Sequence, residues 1–317
     1  MKKTIISLLV ATMFASILTG CGASADNLKF TTGGDQGTYY GFGSVLASQV
    51  SGVTDTSVTA ITSGGSKANI ETIEVGDAQI GFAQSDVMAY AYNGTNLFEE
   101  AVSDISTVAA LYMEQVQVVT CNPEIKTIAD LKGKTVSIGD NGSGVYFNAL
   151  DMLGAYGLTV DDIKPTYESF GDSADSLKDG KIDAAFVVAG APTTAITSLA
   201  TSKPVYLVGM DDEHIATLQE TSPYYSKNII PAGTYEGLDV DTTTVAVGAV
   251  VIASDDVSED AIYNFVSGVY ENIDAITDAH AKGSELDMEF ASSVTAVPYH
   301  PGAAKYFAEK GIEVSVK

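Results

Sequence analysis

Apolar residues fall along this chain in a repeating order: a short extended run, a polar loop rich in glycine, then apolar positions three and four apart. Extended runs followed by that spacing predict strands handing over to helices. The first unit is Phe30 to Val50, FTTGGDQGTYYGFGSVLASQV. A strand ends at Thr32, the loop carries Gly33, Gly34 and Gly37, and a helix begins at Thr38 and Tyr39 with Phe42, Val45, Leu46 and Val50 on its apolar side. Val58 to Ile61 repeats the strand, Thr62-Ser63-Gly64-Gly65-Ser66 the loop, and Ala68, Ile70, Ile73 and Val75 the helix. Asp77 to Ala83 then runs into Gln84-Ser85-Asp86 and a helix bearing Val87, Met88 and Tyr90. Ser66 and Ser85 stand where helix caps are expected.

Val108 to Cys121, VAALYMEQVQVVTC, is long and extended without helical spacing, as two strands crossing between lobes would be. Beyond it the pattern restarts. Thr127 caps a short helix, Ile128 to Leu131, and residues 135–139 form a strand. The loop Asp140-Asn141-Gly142-Ser143-Gly144 leads to a helix with Val145, Phe147, Leu150, Met152 and Leu153. Asp161 and Asp162 open a single turn, Thr166 to Phe170 reads as a strand, and Asp172 as the cap of a helix with Ala174 and Leu177. Ile182 to Val188 is a buried strand delivering Ala189-Gly190-Ala191-Pro192-Thr193-Thr194 to a helix through Ile196 and Leu199, with Pro192 just inside its start. Residues 242–254, TTTVAVGAVVIAS, make a second crossing. Ser258 caps a long helix whose one face carries Ile262, Phe265, Val266, Val269, Tyr270 and Ile273, and His300-Pro301-Gly302 starts a last helix over 303–310.

Glu74-Val75-Gly76-Asp77 before AQIGFAQ and Lys178-Asp179-Gly180-Lys181 before IDAAFVVAG are the same design used twice. Two α/β lobes joined by two extended crossings follow. In a parallel sheet the loops after the strands gather at one edge, where ligands bind. Glycine lets a backbone approach a ligand, and helix starts favour anions; a turn that only reverses the chain would also use glycine.

The net charge of −25, with 41 acids against 16 basic residues, excludes nucleic acid and anionic lipid as partners. All sixteen basic residues are lysine, so an organic anion would have to be held by backbone N–H groups, helix starts and hydroxyls rather than by arginine forks. His214, His280 and His300 are scattered, and no metal site or cofactor is expected. Met1 to Gly20 has the charged start and short apolar run of a signal peptide. Leu18-Thr19-Gly20-Cys21 resembles a bacterial lipobox, which implies lipidation of Cys21, an extracytoplasmic chain anchored to the outer face of the cytoplasmic membrane, and a flexible linker over 21–27. Cys121 is then left without a disulfide partner.

TTGGDQGTYY, SGGSKANI, IGFAQSD, VSIGDNGSGVYFNA, LKDGKIDAAFVVAGAPT and PYHPGAAKYF, in this order, resemble the TAXI family, the solute receptors of a class of TRAP (tripartite ATP-independent periplasmic) transporters. The resemblance implies an α/β type II periplasmic binding-protein fold. It also implies a function without catalysis, in which a glutamate- or glutamine-like amino acid or a dicarboxylate is captured and passed to an ion-gradient-driven TRAP-type permease. The expected division is 28–117 plus 249–317 for one lobe and 118–248 for the other, in a monomer. Carried over by position, the ligand loops are Gly37, Thr38 and Tyr39; Ser63, Gly64 and Ser66; Gln84, Ser85 and Asp86; Gly142, Ser143 and Gly144; and Ala191, Pro192 and Thr193. A ligand carboxylate is expected around Thr38 and Ser66, with Tyr39 as a wall and Ser143 and Thr193 reaching across on closure. Asp86 could face an ammonium group or merely complement a helix start. Asp35-Gln36 replaces the commoner form of the first loop, GGTGGTYY, and puts an acid beside the anion site. A ligand sensor docked on a membrane signalling protein and an extracellular hydrolase are the alternative readings.

Overall fold

The computed structural model describes residues 26–317; the signal segment, Cys21 and nearly all of the linker lie outside the described residues. In chain order the first elements are β1 (Asn27–Thr31), α1 (Thr38–Val53), β2 (Ser57–Ile61), α2 (Ser66–Glu74), β3 (Ile80–Gln84), α3 (Ser85–Asn93) and β4 (Ile105–Thr120). Then come β5 (Thr135–Ser137), α4 (Val145–Ala155), β6 (Lys164–Thr166), α5 (Phe170–Asp179), β7 (Ala184–Ala189), α6 (Thr194–Ala200), β8 (Tyr206–Val208), α7 (Asp212–Thr221) and β9 (Ser226–Ile230). The chain returns through β10 (Thr242–Ser254) to α8 (Glu259–Tyr270), α9 (Ile273–Ala279), α10 (Met288–Ala291) and α11 (Pro301–Glu309).

β1 lies between β2 and β3, all parallel, and β5 lies between β6 and β7, again all parallel. Between these two triplets run β10 and β4, antiparallel to each other, with β10 beside β3 and β4 beside β7. This is the α/β architecture of a type II periplasmic binding protein. The two long strands belong to both cores. On β4, Val108, Leu111 and Tyr112 pack with β1, α1, α8 and α11, while Val116 and Val118 pack with α4, β7 and α7. β10 changes sides in the same way, Val245 and Val247 facing one core and Ala249, Val251 and Ala253 the other. In the first core Phe30 stacks on Phe82 at 4.9 Å and meets Phe265 edge-on at 5.7 Å. Each of these rings is buried, and full burial of such a side chain contributes about 1.5–3 kcal/mol.

The twice-used design is present: α2 ends at Glu74 ahead of β3, and α5 ends at Asp179 with Gly180 as a left-handed cap ahead of β7. Several local expectations are corrected. Residues 105–120 form one continuous strand rather than two. The strand expected at Thr166–Phe170 lies instead at Lys164–Thr166, because β5 offers only three residues to pair with and Ser169 accepts the Asp172 N–H to start α5. Ser169, not Asp172, is therefore the cap, and Pro165 is tolerated because β6 is an edge strand. Pro192 precedes the cap Thr193 rather than sitting inside α6. Ile273 begins a separate helix, since the turn at Asn272 ends the α8 face at Tyr270. β8, α7 and β9 stand in a stretch for which the hydrophobic pattern carries no prediction.

Candidate ligand site between the strand ends

The strand-end loops of both triplets meet around one cavity of about 80 Å³, scaled to a small solute. From the first lobe it is lined by residues 33–39, 63–66 and Gln84; from the second by Asp140, Ser143, Gly144, Val145, residues 168–171, Val188 and Ala189; and from the middle of β4 by Glu114. The lobes touch directly around it. Ala68 N–H donates to Gly142 O at 2.9 Å, Ala195 N–H to Gln36 O at 3.3 Å, and Thr38 Oγ1 to Gly190 O at 3.0 Å. The cleft is closed.

Five helices begin at the cavity wall, α3 among them from Gln84, and their starts are not alike. α5 is capped by the Ser169 side chain, whereas α1, α2 and α4 begin at Gly37, Gly65 and Gly144, and none of the three has a side-chain cap. Glycine brings the backbone to the cavity without filling it: a Cβ on Gly144 would overlap Gln84 Oε1 and come within 2.9 Å of Ser66 Oγ. Gly65, at φ +105, adopts a conformation open chiefly to glycine. The uncapped N–H groups, with the positive ends of three helix dipoles, suit a carboxylate.

Five buried polar side-chain atoms among the lining residues have no hydrogen-bond partner: Tyr39 Oη, Gln84 Oε1, Glu114 Oε1, Ser143 Oγ and Glu168 Oε2. Unpartnered buried groups are costly and rare in a folded chain. Glu114, only 1% exposed, is the most costly of them. One of its oxygens receives a long contact from Gln84 Nε2, 3.4 Å, and burial pushes its carboxyl up to about 8. Tyr39 lies flat on Phe82, ring centroids 4.3 Å apart, with its hydroxyl close to Glu114 and Ser66. Among the described residues no lysine lines the cavity, and no His, Cys, Asp and Glu group is placed to hold a metal ion.

Of the positions singled out in the sequence, the structure brings Gly37, Thr38, Tyr39, Ser63, Gly64, Ser66, Gln84, Ser143 and Gly144 to the cavity. The others stand behind it. Gly142 contributes its carbonyl to the lobe contact with Ala68, and Ser85 Oγ accepts the Gly248 N–H of β10 at 2.9 Å, so it ties the hinge rather than capping α3. Ser66 is not a cap either: its hydroxyl accepts the Gln84 N–H at 3.1 Å. The loop of Ala191, Pro192 and Thr193 is held from β4, where Gln115 Oε1 accepts the Ala191 N–H and Gln117 Nε2 donates to Thr193 Oγ1. The pattern missed Glu114 and the loop 168–171. Glu114 had a signal: a lone acid inside a run of buried strand residues.

Asp86 is fully buried beside the cleft, where α3 of one lobe meets α4 of the other. Asn148 Nδ2 donates to its Oδ2 at 2.9 Å and also reaches Tyr225 Oη, which donates to Asp151 Oδ2 at 3.0 Å. Burial, reinforced by Asp151, holds the Asp86 carboxyl up at about 7. The unfolded chain loses that proton in the usual carboxylate range, near 4, so between roughly pH 4 and pH 7 the folded state holds the extra proton and stability falls as pH rises. Asp86→Asn removes the ionisation and keeps an acceptor for Asn148. Its stability relative to the native protein is expected to improve steadily across that window, read as urea midpoints at pH 5 and pH 8. An identical difference at both pH values would show that Asp86 does not titrate there.

A family model described as NMT1-like matches residues 30–311. The chain belongs to the NMT1-like family. Solved structures are similar to this NMT1-like chain along most of its length. A protein from Bordetella bronchiseptica RB50 has a TM-score of 0.55 and 14% identity, over 89% of this chain and 88% of that one. A Salmonella typhimurium periplasmic binding protein with high arginine specificity has a TM-score of 0.50 and 14% identity, over 83% and 99%. An ancestral arginine-binding protein bound to arginine has a TM-score of 0.50 and 13% identity, over 80% and 96%. At such identities the likeness is one of fold. No helix among the described residues of this NMT1-like chain is long and apolar enough to cross a membrane.

Proposed function

We propose that this NMT1-like chain is an extracytoplasmic solute receptor that closes on a small organic acid and hands it to a membrane permease. The observation that carries this reading is the meeting of three uncapped, glycine-led helix starts and five unpartnered polar atoms around one cavity between the lobes. Nothing in that arrangement resembles a nucleophile with its base, and a cleft walled by backbone N–H groups is suited to holding a carboxylate unchanged. Residues 28–117 with 249–317 would move as one lobe against 118–248, bending where β4 and β10 change cores. The TAXI resemblance supplies the finer expectation: a glutamate- or glutamine-like ligand or a dicarboxylate, a TRAP-type permease as partner, and an anchor on Cys21.

A thermal-shift screen against amino acids, 2-oxoacids and dicarboxylates tests the reading. A ligand at a hundred times its dissociation constant adds about 2.7 kcal/mol of stability. No shift with any of them, for protein shown to contain no retained solute, would overturn it. Ser143→Ala deletes an unpartnered hydroxyl that is 6% exposed at the cavity wall. It should weaken binding about 3- to 10-fold, on the order of 1 kcal/mol. Thr38→Ala should cost a similar amount through the lost bond to Gly190. Calorimetry showing native affinity in both variants would remove these residues from the site.

A further inference from the structure

We propose that Glu114 selects the ligand: its carboxyl receives a protonated nitrogen of the solute and releases its own proton as the cleft fills. This rests on the receptor reading and narrows it, from organic acids in general to those that also carry an amine.

Glu114 sits at the middle of β4, paired across the hinge with Val247 of β10 and shielded from water. A strand position buried on all sides is a poor place for a carboxyl unless something occupies its free oxygen. Within the protein Gln84 Nε2 reaches one oxygen at 3.4 Å and the Tyr39 hydroxyl lies close by, yet Glu114 Oε1 has no hydrogen-bond partner at the cavity wall. Two further unpartnered atoms lie beside it, the acceptor Gln84 Oε1 and the Tyr39 hydroxyl, which can accept as well as donate. An ammonium group brings three N–H donors, one for each. In the same cavity Ser143 Oγ and the uncapped starts of α1, α2 and α4 offer donors to a carboxylate. The cavity therefore offers both free acceptors and free donors, and a zwitterion matches both. A dicarboxylate would set a second negative charge against Glu114 with no lysine on the wall to offset it.

The groups that face Glu114 make the proton part of the exchange. Tyr39 approaches from α1, Gln84 from the end of β3, Asp86 from α3 and Lys282 from the turn after α9. Tyr112 lies two residues along β4. Lys282 is already committed to Glu285 at 2.5 Å and lies over the Tyr112 ring at 5.4 Å. With the cleft empty of a cation, burial keeps the carboxyl protonated toward pH 8. On binding, the ligand's ammonium keeps its own three hydrogens, the Glu114 O–H bond breaks, and that proton leaves to the solvent. The products are an ion pair in the cleft and one proton in the buffer.

The test is calorimetric titration of the purified protein at pH 7 in two buffers of different ionisation enthalpy. The ligands are L-glutamate and L-glutamine, set against 2-oxoglutarate and glutarate, which lack the amine. The expected result is amino-acid binding with release approaching one proton per ligand, and at least about 10-fold weaker binding of the amine-free acids. In Glu114→Gln the amino acids should lose about 10- to 100-fold in affinity, proton release should vanish, and the preference for the amine should collapse. The comparison of ligands and buffers on the native protein needs no variant to fold. Amine-free acids binding as tightly as the amino acids would overturn the role of Glu114 and leave the receptor standing. So would amino-acid binding with no proton release. Failure of all four ligands to bind would overturn the proposal together with the receptor reading for these acids.

Discussion

Alanine at position 144 is expected to lower ligand affinity by about 100-fold while leaving the ligand-free protein folded. Gly144 ends the loop that one lobe lays against the other, and its missing side chain is where the first lobe fits. A Cβ there would overlap Gln84 Oε1, approach Gln84 Cδ to 2.5 Å and Ser66 Oγ to 2.9 Å. Gln84 cannot swing aside freely, because its backbone is tied to Ser66 and its amide reaches Glu114. The variant must either stand its lobes apart or displace Gln84 from the cavity wall. Overpacking of this kind costs about 1–3 kcal/mol, and the upper part of that range corresponds to the 100-fold loss. The lobe cores are untouched, so the melting temperature without ligand should stay near that of the native protein. Calorimetry would read the affinity, and small-angle scattering with saturating ligand would show whether the cleft still closes. Native affinity in Gly144→Ala would mean that the contact between Gly144 and Gln84 is not part of the bound state.

The largest loss of stability is expected from Phe82→Ala. Phe82 is fully buried in β3, with Phe30 stacked on it and Tyr39 lying parallel to it at the cavity side. Removing a large aromatic from a packed core costs about 3–5 kcal/mol. For a chain of this length that is a fall of roughly 5–8 °C in the unfolding midpoint. A second consequence follows from position. Tyr39 loses the surface that fixes its ring, so affinity should fall alongside stability, whereas Phe265→Ala, in the same core but away from the cavity, should lower stability with binding retained. Unfolding curves and titrations on both variants would separate the two effects. Equal binding losses in both would show that Tyr39 is not positioned by Phe82.

The fold was legible because its signals are local and repeated. Strand, loop and helix recur with the spacing that strands and helices require, and the run 242–254 has the length and β-branched composition of the strand it forms. The cavity loops were legible for the same reason, since each follows a strand and carries glycine. What escaped was set by distance in the chain. Ser66 and Ser85 look like caps from their neighbours alone, yet their hydroxyls are taken by Gln84 and by Gly248, the latter more than 160 residues away. Asp86 sits beside Ser85 in the sequence but turns toward Asn148 and away from the cleft. Glu114 lies far from every loop in sequence and reaches the site only because β4 passes between the lobes. A pattern read in windows of ten residues sees helix starts well and sees the middle of a long strand as scaffold.

The arrangement of the first core also governs the order in which the molecule can be made. Phe30 and Phe82 are among the earliest residues to be synthesised, and the surfaces that complete their burial, Phe265 on α8 and Phe307 on α11, are among the last. The second core takes all its residues from Val116 to Val247, an unbroken stretch of chain. A growing polypeptide can therefore finish its middle while its beginning still waits, with apolar strands exposed, for the end to arrive.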